Sequence, residues 1–290
     1  DRVRLDAGYY NKVSKDALVS TRTAPSAGVA GTIFRNLGSI RNTGVEVQLA
    51  LRPVVRENFE WGMTINHSEN RNEVEDLGDN PAIIFGLGGA SQRHEQGYPA
   101  GAYFGEVIES FADNDGDGIV DEINYGEERY LGPSQPRRMT TFQTDFTLFG
   151  SLRLAGLVDY RGGYKQYNAT EEFRCAIFTC RGLNDPSASL EEQANAMAAA
   201  EGVYSGFIED ADFIKLREIS LTYTVPERFA TRLNASGLSI TLAGQNLGLW
   251  TDYTGLDPEI NFAGQDNYSQ GDFLSQPQVR RFTARVNVNF

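Results

Sequence analysis

The C-terminal stretch "RRFTARVNVNF", residues 280–290, decides the fold. Phe282, Ala284, Val286, Val288 and Phe290 occupy alternate positions, and Thr283, Arg285, Asn287 and Asn289 fill the gaps. Side chains two apart share one face of an extended chain, so this is a strand with an apolar and a polar face. Upstream the same period recurs. Leu238, Ile240 and Leu242 oppose Ser239, Thr241 and Ala243, and Ile219, Leu221, Tyr223 and Val225 oppose Glu218, Ser220, Thr222 and Thr224. Leu152, Leu154, Val158 and Tyr160 oppose Arg153, Asp159 and Arg161. Phe59, Trp61, Met63 and Ile65 oppose Glu60, Gly62, Thr64 and Asn66, and Val45, Val47, Leu49 and Leu51 oppose Glu46, Gln48, Ala50 and Arg52.

A soluble sandwich turns such an apolar face inward, whereas an outer-membrane barrel turns it toward lipid and lines its lumen with the polar face. Three features select the barrel. The strands run about ten residues or more, as a tilted crossing requires. The polar face carries full charges in mid-strand, Glu46, Arg153 and Arg285 among them. Connections alternate between short ones at 52–58, 149–151 and 225–237 and long ones near 20–35, 76–136, 167–210 and 251–277, the pattern of periplasmic turns and extracellular loops. The reading is an all-β, antiparallel transmembrane β-barrel section. Its eight spanning strands fall near 1–19, 36–52, 57–74, 137–149, 151–166, 211–225, 237–250 and 278–290. "AGAYFGEVIES" (100–110) also alternates, but a ninth spanning strand would break the parity; it is placed inside the 76–136 loop, paired with "AIIFG" (82–86). A helix is expected near 187–201, with Ser187 or Ser189 as N-cap and Gly202 as its stop.

Composition bounds the rest. The 290 residues are 40% hydrophobic and 22% charged, which excludes disorder, and 30 glycines with 17 Phe and 13 Tyr favour strands and turns. A net charge of −13 argues against nucleic acid or anionic membrane surfaces as partners. No apolar run reaches about 18 residues, so no helix crosses a membrane. The opening "DRVRLDAGYY" is already strand-like and carries no signal peptide, so the chain is expected to be a piece of something longer.

Inside the longest loop stands "ADNDGDGIVDE" (112–122). It matches the first half of an EF-hand-type loop, D-x-[DN]-x-[DN]-G. Asp113, Asp115 and Asp117 take positions 1, 3 and 5, Gly118 the sharp turn, Ile119 the backbone-carbonyl position and Asp121 position 9. Position 12 is Asn124 instead of the usual bidentate Glu, so Glu122 or another loop must complete the shell. The expected cofactor is a structural calcium ion (Ca2+) that pins the loop; the bland alternative is a solvated acidic turn. The only two cysteines, Cys175 and Cys180, lie in "FRCAIFTCRG" with four residues between them. No His or further Cys accompanies them as metal ligands, which points to a small disulfide loop in an oxidising compartment.

Catalytic signatures are absent: no G-x-S-x-G, P-loop or H-E-x-x-H appears, and His67 and His94 stand alone. "GLGGA" (86–90) follows no βαβ pattern, and Asp257 with Glu259 in "GLDPEIN" reads as a loop motif in preference to a glycosidase pair. No enzyme activity is expected. Trp250, Tyr253, Phe262, Tyr268 and Phe273 lie at or beyond the upper end of a strand, where they form an interfacial girdle or stack on a sugar ring. Tyr103 and Phe104 carry the same two readings, and Trp250, Tyr253, Tyr103 and Phe104 are the candidate substrate contacts.

Several motifs together resemble the SusC/RagA-type TonB-dependent transporters. "FIKLREISLTYTVPERF" (213–229) and "LSITLAGQNLGLWTDYTGLDPEIN" (238–261) are similar to that family's late strands. "NLGSIRNTGVEVQL" (36–49), "GYPAGAYFGEV" (97–107), "DNDGDGIVDE" and "LGPSQPRR" (131–138) follow in the expected order. The resemblance implies that the chain supplies about the last eight strands of a 22-stranded barrel in the bacterial outer membrane, without the plug and the TonB-contacting N-terminal segment. It also implies active uptake of an oligosaccharide or peptide, with TonB, a SusD-like surface lipoprotein and outer-membrane lipid as partners and no nucleic acid. The alternatives are a passive porin or surface-exposed adhesion barrel with calcium-stabilised loops, and a soluble calcium-stabilised β protein.

Overall fold

The structure, a computed structural model, describes residues 2–22, 32–78, 80–87, 92–264 and 268–290. The expected 20–35 loop and the "GLGGA" stretch therefore lie largely outside the described residues. The strands are β1 (Val3–Arg22), β2 (Thr32–Arg56), β3 (Phe59–Asp76), β4 (Ile83–Phe85), β5 (Gln92–His94), β6 (Ala102–Ala112), β7 (Glu122–Gly132), β8 (Arg138–Leu148), β9 (Leu152–Gly162), β10 (Lys165–Tyr167), β11 (Ile208–Asp210), β12 (Phe213–Val225), β13 (Gly237–Thr251) and β14 (Arg281–Asn289). Among the described residues four α-helices accompany them: α1 (Ala169–Ala176), α2 (Arg181–Asn184), α3 (Leu190–Glu201) and α4 (Glu227–Ala230).

Eight strands form one antiparallel sheet in the order β1-β2-β3-β8-β9-β12-β13-β14. These are the eight expected crossings, each beside its neighbour in sequence among the long strands. Register aligns their apolar residues into one continuous face. Leu49 pairs Ile65, Ile65 pairs Phe142, Phe142 pairs Val158 and Val158 pairs Leu216; nearer the short turns Leu154 pairs Leu221, Leu221 pairs Leu242 and Ile240 pairs Val286. Many large members of this face are exposed, including Leu5, Val45, Leu154, Leu221, Leu242 and Val286. A soluble protein does not leave so wide an apolar sheet uncovered; lipid covers it in a transmembrane barrel. Among the described residues β1 and β14 form the two edges and do not pair with each other. An open edge in hydrocarbon leaves backbone groups unsatisfied, so the barrel closes through further strands.

The three short turns lie at one end, laced side by side. Phe149 N–H donates to Asn58 O (2.9 Å), Thr224 N–H to Ser151 O (2.7 Å) and Ser236 N–H to Asn289 O (2.7 Å). At the other end the long loops build a layer with its own core. β4-β5-β6-β7 form a second sheet, so "AIIFG" pairs with Gln92–His94 and not directly with "AGAYFGEVIES", which lies between β5 and β7 and pairs with both. The expected helix is α3, capped by the Ser189 side chain on Glu192 N–H and stopped by a left-handed Gly202. It packs with α1 and β6 around Tyr103, Tyr167, Ala196, Ala199, Phe207 and the two cysteines.

Candidate functional site

The polar face of β9 and β12 carries a charged knot that begins with a β-bulge. Leu216 pairs Val158 and Glu218 pairs Leu157, leaving Arg217 as the extra residue. The bulge keeps Ile214, Leu216, Ile219 and Leu221 in phase on the apolar face despite their uneven spacing, and it adds Arg217 to the polar side. Lys215 lies opposite Asp159. From above, the 252–264 segment folds back onto this wall. Lys215 Nζ donates to Asp257 Oδ1 and Oδ2 (2.7 Å each) and to Glu259 Oε2 (2.6 Å), and Arg217 makes two 2.6 Å bonds to Glu259. Arg217 also pairs Asp159, while Arg161 reaches Asp159 (3.5 Å) and Glu259 (3.3 Å). Three cations thus face three carboxylates, and the Lys215 and Asp257 side chains are only 5% and 6% exposed. Burial acts to raise the Glu259 carboxyl, but hydrogen bonds from Arg217 and Lys215 outweigh it and hold it at about 2. Held by Lys215 and Arg217, the pair in "GLDPEIN" anchors a loop.

A second, mostly uncharged knot fixes the same segment higher up. The Asn168 side chain donates to Glu209 (3.1 Å) and Thr254 (3.0 Å), the Thr254 hydroxyl to Glu209 (2.7 Å), and the Tyr253 hydroxyl to Asp272 Oδ2 (3.3 Å). The Thr170 hydroxyl donates to the Asp272 main chain or carboxylate (3.2 and 3.1 Å). Burial raises the Asp272 carboxyl above its ordinary range. The strap is therefore tied to the barrel wall at one end and to the helical loop at the other.

The predicted metal residues sit at the tip of the β6–β7 hairpin. Ligand atoms of Asp113, Asp115 and Asp117 all lie within 4.8 Å of one another. Gly116 and Gly118 adopt φ of 80° and 89°, left-handed conformations that glycine takes without a Cβ clash, and they wrap the backbone around Asp113. Its Oδ1 accepts from Gly116 N–H (2.7 Å) and Asp117 N–H (3.2 Å), and its Oδ2 from Gly118 N–H (2.8 Å). The bond from Gly118 leads in holding the Asp113 carboxyl below its usual range. Asp117 Oδ1 accepts from Ile119 N–H, and Asp121 Oδ2 accepts from Asn114 N–H (2.8 Å each). Asn124 faces Ser110 and Glu122, away from the position-12 role. The loop also docks on α3, which sequence reasoning missed: Gln193 accepts from Val120 N–H (3.1 Å) and donates to Gly118 O (2.9 Å).

The structure places three of the four candidate substrate aromatics in the interior and the fourth on the apolar face. Tyr103 is fully buried with its hydroxyl donating to Gln270 O (3.1 Å), Phe104 is buried beneath the Arg93 guanidinium, and Tyr253 is buried in the upper knot. Trp250 is exposed, but it pairs Ile214 on the apolar face and so belongs to the lipid-facing girdle. Their aromatic character signalled burial or lipid, and single-sequence periodicity did not tell these from a sugar platform. Cys175 and Cys180 form a disulfide. Neither histidine joins a site. His67 Nδ1 meets the Thr140 hydroxyl (2.8 Å), and buried His94 accepts from Gly101 N–H (3.1 Å) with burial lowering its pKa to about 4.

No protein-family profile matches the chain. Curated relatives include TonB-dependent receptor P3 of Formosa agariphila, 25% identical over 100% of this chain and 32% of the relative. The TonB-dependent receptor SusC of Bacteroides thetaiotaomicron is 25% identical over 87% of this chain and 27% of the relative. Among solved structures, the RagAB peptide transporter aligns with a TM-score of 0.77 at 19% identity, covering all of this chain and 34% of that one. A RagAB peptide importer in the "closed-closed" state gives 0.74 at 20%. By fold the chain is a section of an outer-membrane β-barrel. Its curated relatives are TonB-dependent receptors, SusC among them, and the chain spans about a third of their length.

Proposed function

We propose that the chain is the C-terminal barrel section of a receptor that imports an oligosaccharide or peptide across the outer membrane. TonB supplies the drive, and a SusD-like lipoprotein is the surface partner. The observation that carries this reading is the pairing of a continuous lipid-type face with a polar wall onto which a loop is folded and locked. That wall and lock suit a gated import barrel better than an open pore. The receptor names of the relatives support binding and transport over catalysis. The test is uptake of fluorescent oligosaccharides and peptides by cells carrying the intact parent protein, with and without TonB. Uptake that requires both supports the reading, and uptake that persists without TonB assigns the passive-porin alternative.

Within that receptor the Asp113 loop is proposed to hold a structural Ca2+. Asp113, Asp115, Asp117 and Asp121 would supply carboxylates and Ile119 its carbonyl. An all-oxygen donor set on a loop turned by two left-handed glycines supports a hard cation. Clamped to α3 by Gln193, the loop would join two outer loops whose ordering costs entropy.

A further inference from the structure

The net charge of −13 conceals a division between the two ends of the molecule. The 77–137 loop carries eleven Asp and Glu against three Arg. In sequence, the short-turn end carries Arg2, Arg52, Arg56, Arg228 and Arg232 against Asp1, Glu57, Glu60 and Glu227. The overall charge argues against anionic membrane surfaces for the molecule as a whole, but at this end cations outnumber carboxylates. In α4 and the turn after it, Arg228 and Arg232 lie 4.8 and 5.5 Å from the Phe229 ring centroid. Both arginines are exposed, and among the described residues no carboxylate pairs with either. Phe229 itself is exposed, and so is Phe149 on the neighbouring turn, which Thr224 N–H ties to this one through Ser151 O. The apolar face ends here: Leu152 pairs Tyr223, Val225 pairs Leu238 and Leu238 pairs Val288. Two guanidiniums without an ion-pair partner among the described residues thus flank one exposed aromatic ring where the apolar face ends, and a second exposed ring stands on the neighbouring turn.

We propose that Arg228 and Arg232, with Phe229 between them, bind the phosphate of an anionic phospholipid in the periplasmic leaflet. Charge complementarity and continuity with the lipid-facing band both select a lipid over a soluble anion. Guanidinium forks suit phosphate oxygens, and the ring holds the cations without neutralising them. The proposal rests on the barrel fold alone and stands whether or not the transport reading does.

The test is native mass spectrometry of the intact parent protein in detergent, titrated with phosphatidylglycerol or phosphatidylcholine, on wild type and on Arg228→Gln/Arg232→Gln. The wild type is expected to retain more phosphatidylglycerol than phosphatidylcholine. The double variant is expected to lose about ten-fold or more of phosphatidylglycerol affinity, from two cations at the surface, while keeping the heat-modifiable migration of a folded barrel. Equal retention of the two lipids by the wild type, or an unchanged preference in the double variant, would overturn the proposal. Loss of the preference on adding inorganic phosphate would assign the site to a free anion and overturn the lipid assignment. Should the double variant fail to fold, Arg228→Lys/Arg232→Lys decides: it is expected to keep a weakened preference, and an undiminished one contradicts the guanidinium role.

Discussion

Lys215 shows how much one side chain holds here. It is buried against two carboxylates of a segment more than forty residues downstream, and removing one partner of such a group strands the others without compensation. Lys215→Met should therefore destabilise the anchored loop by roughly 3–5 kcal/mol, read as protease cleavage within 252–264 while the barrel stays folded. A loop equally protected in the variant would contradict the anchor. His94 gives a pH-dependent counterpart. Its pKa is lowered to about 4 in the fold, against an ordinary value near 6.5. Between those values the unfolded chain binds the proton that the folded one refuses, so stability of the outer sheet should fall as pH drops from about 6.5 to 4. His94→Asn, whose amide oxygen can replace Nδ1 as acceptor for Gly101 N–H, should flatten that dependence in hydrogen exchange of β5 and β6. Asp159 and Arg161 of this wall were legible in the sequence as polar-face residues of an alternating strand, whereas Lys215 and Arg217, beside the bulge that breaks the period, were not. Their partners were not, because strand alternation assigns a face and is silent on which distant loop returns to it.

At the scale of elements, six of the eight long strands followed from period two and the other two from the alternation of short and long connections, whereas the outer sheet was only half seen. β5 is three residues long and too short to show a period. β7 pairs β6 through repeated register shifts that break alternation. α3 was readable because Ser189 and Gly202 mark its ends, but its attachment to the Asp113 loop depends on one buried glutamine with no sequence signature. If Ca2+ fills that loop, Asp115→Asn with Asp117→Asn should abolish a millimolar calcium-dependent protection of 77–137 from protease, in the affinity range of extracellular sites. Protection that is identical with calcium and with chelator in the unaltered protein would leave a solvated acidic turn.

For the molecule as a whole, the two faces carry the account. Each strand alone is compatible with a sandwich; the register that stacks Leu154, Leu221, Leu242 and Ala284 across four neighbouring strands makes the apolar face continuous and leaves it uncovered. Closure of the barrel, the substrate and the partner depend on surfaces that eight strands do not carry, so neither the sequence nor the fold of this section specifies them. The most direct test of the central claim is nitroxide scanning of residues 281–289 in the intact protein in lipid, one cysteine at a time, against the disulfide-bonded background of Cys175 and Cys180. The account predicts that labels at 282, 284, 286 and 288 are accessible to oxygen dissolved in the bilayer. Labels at 283, 285, 287 and 289 should instead meet a water-soluble nickel chelate or be shielded from both reagents. A uniform profile, or one with the two sets exchanged, would contradict a transmembrane strand with its apolar face toward lipid.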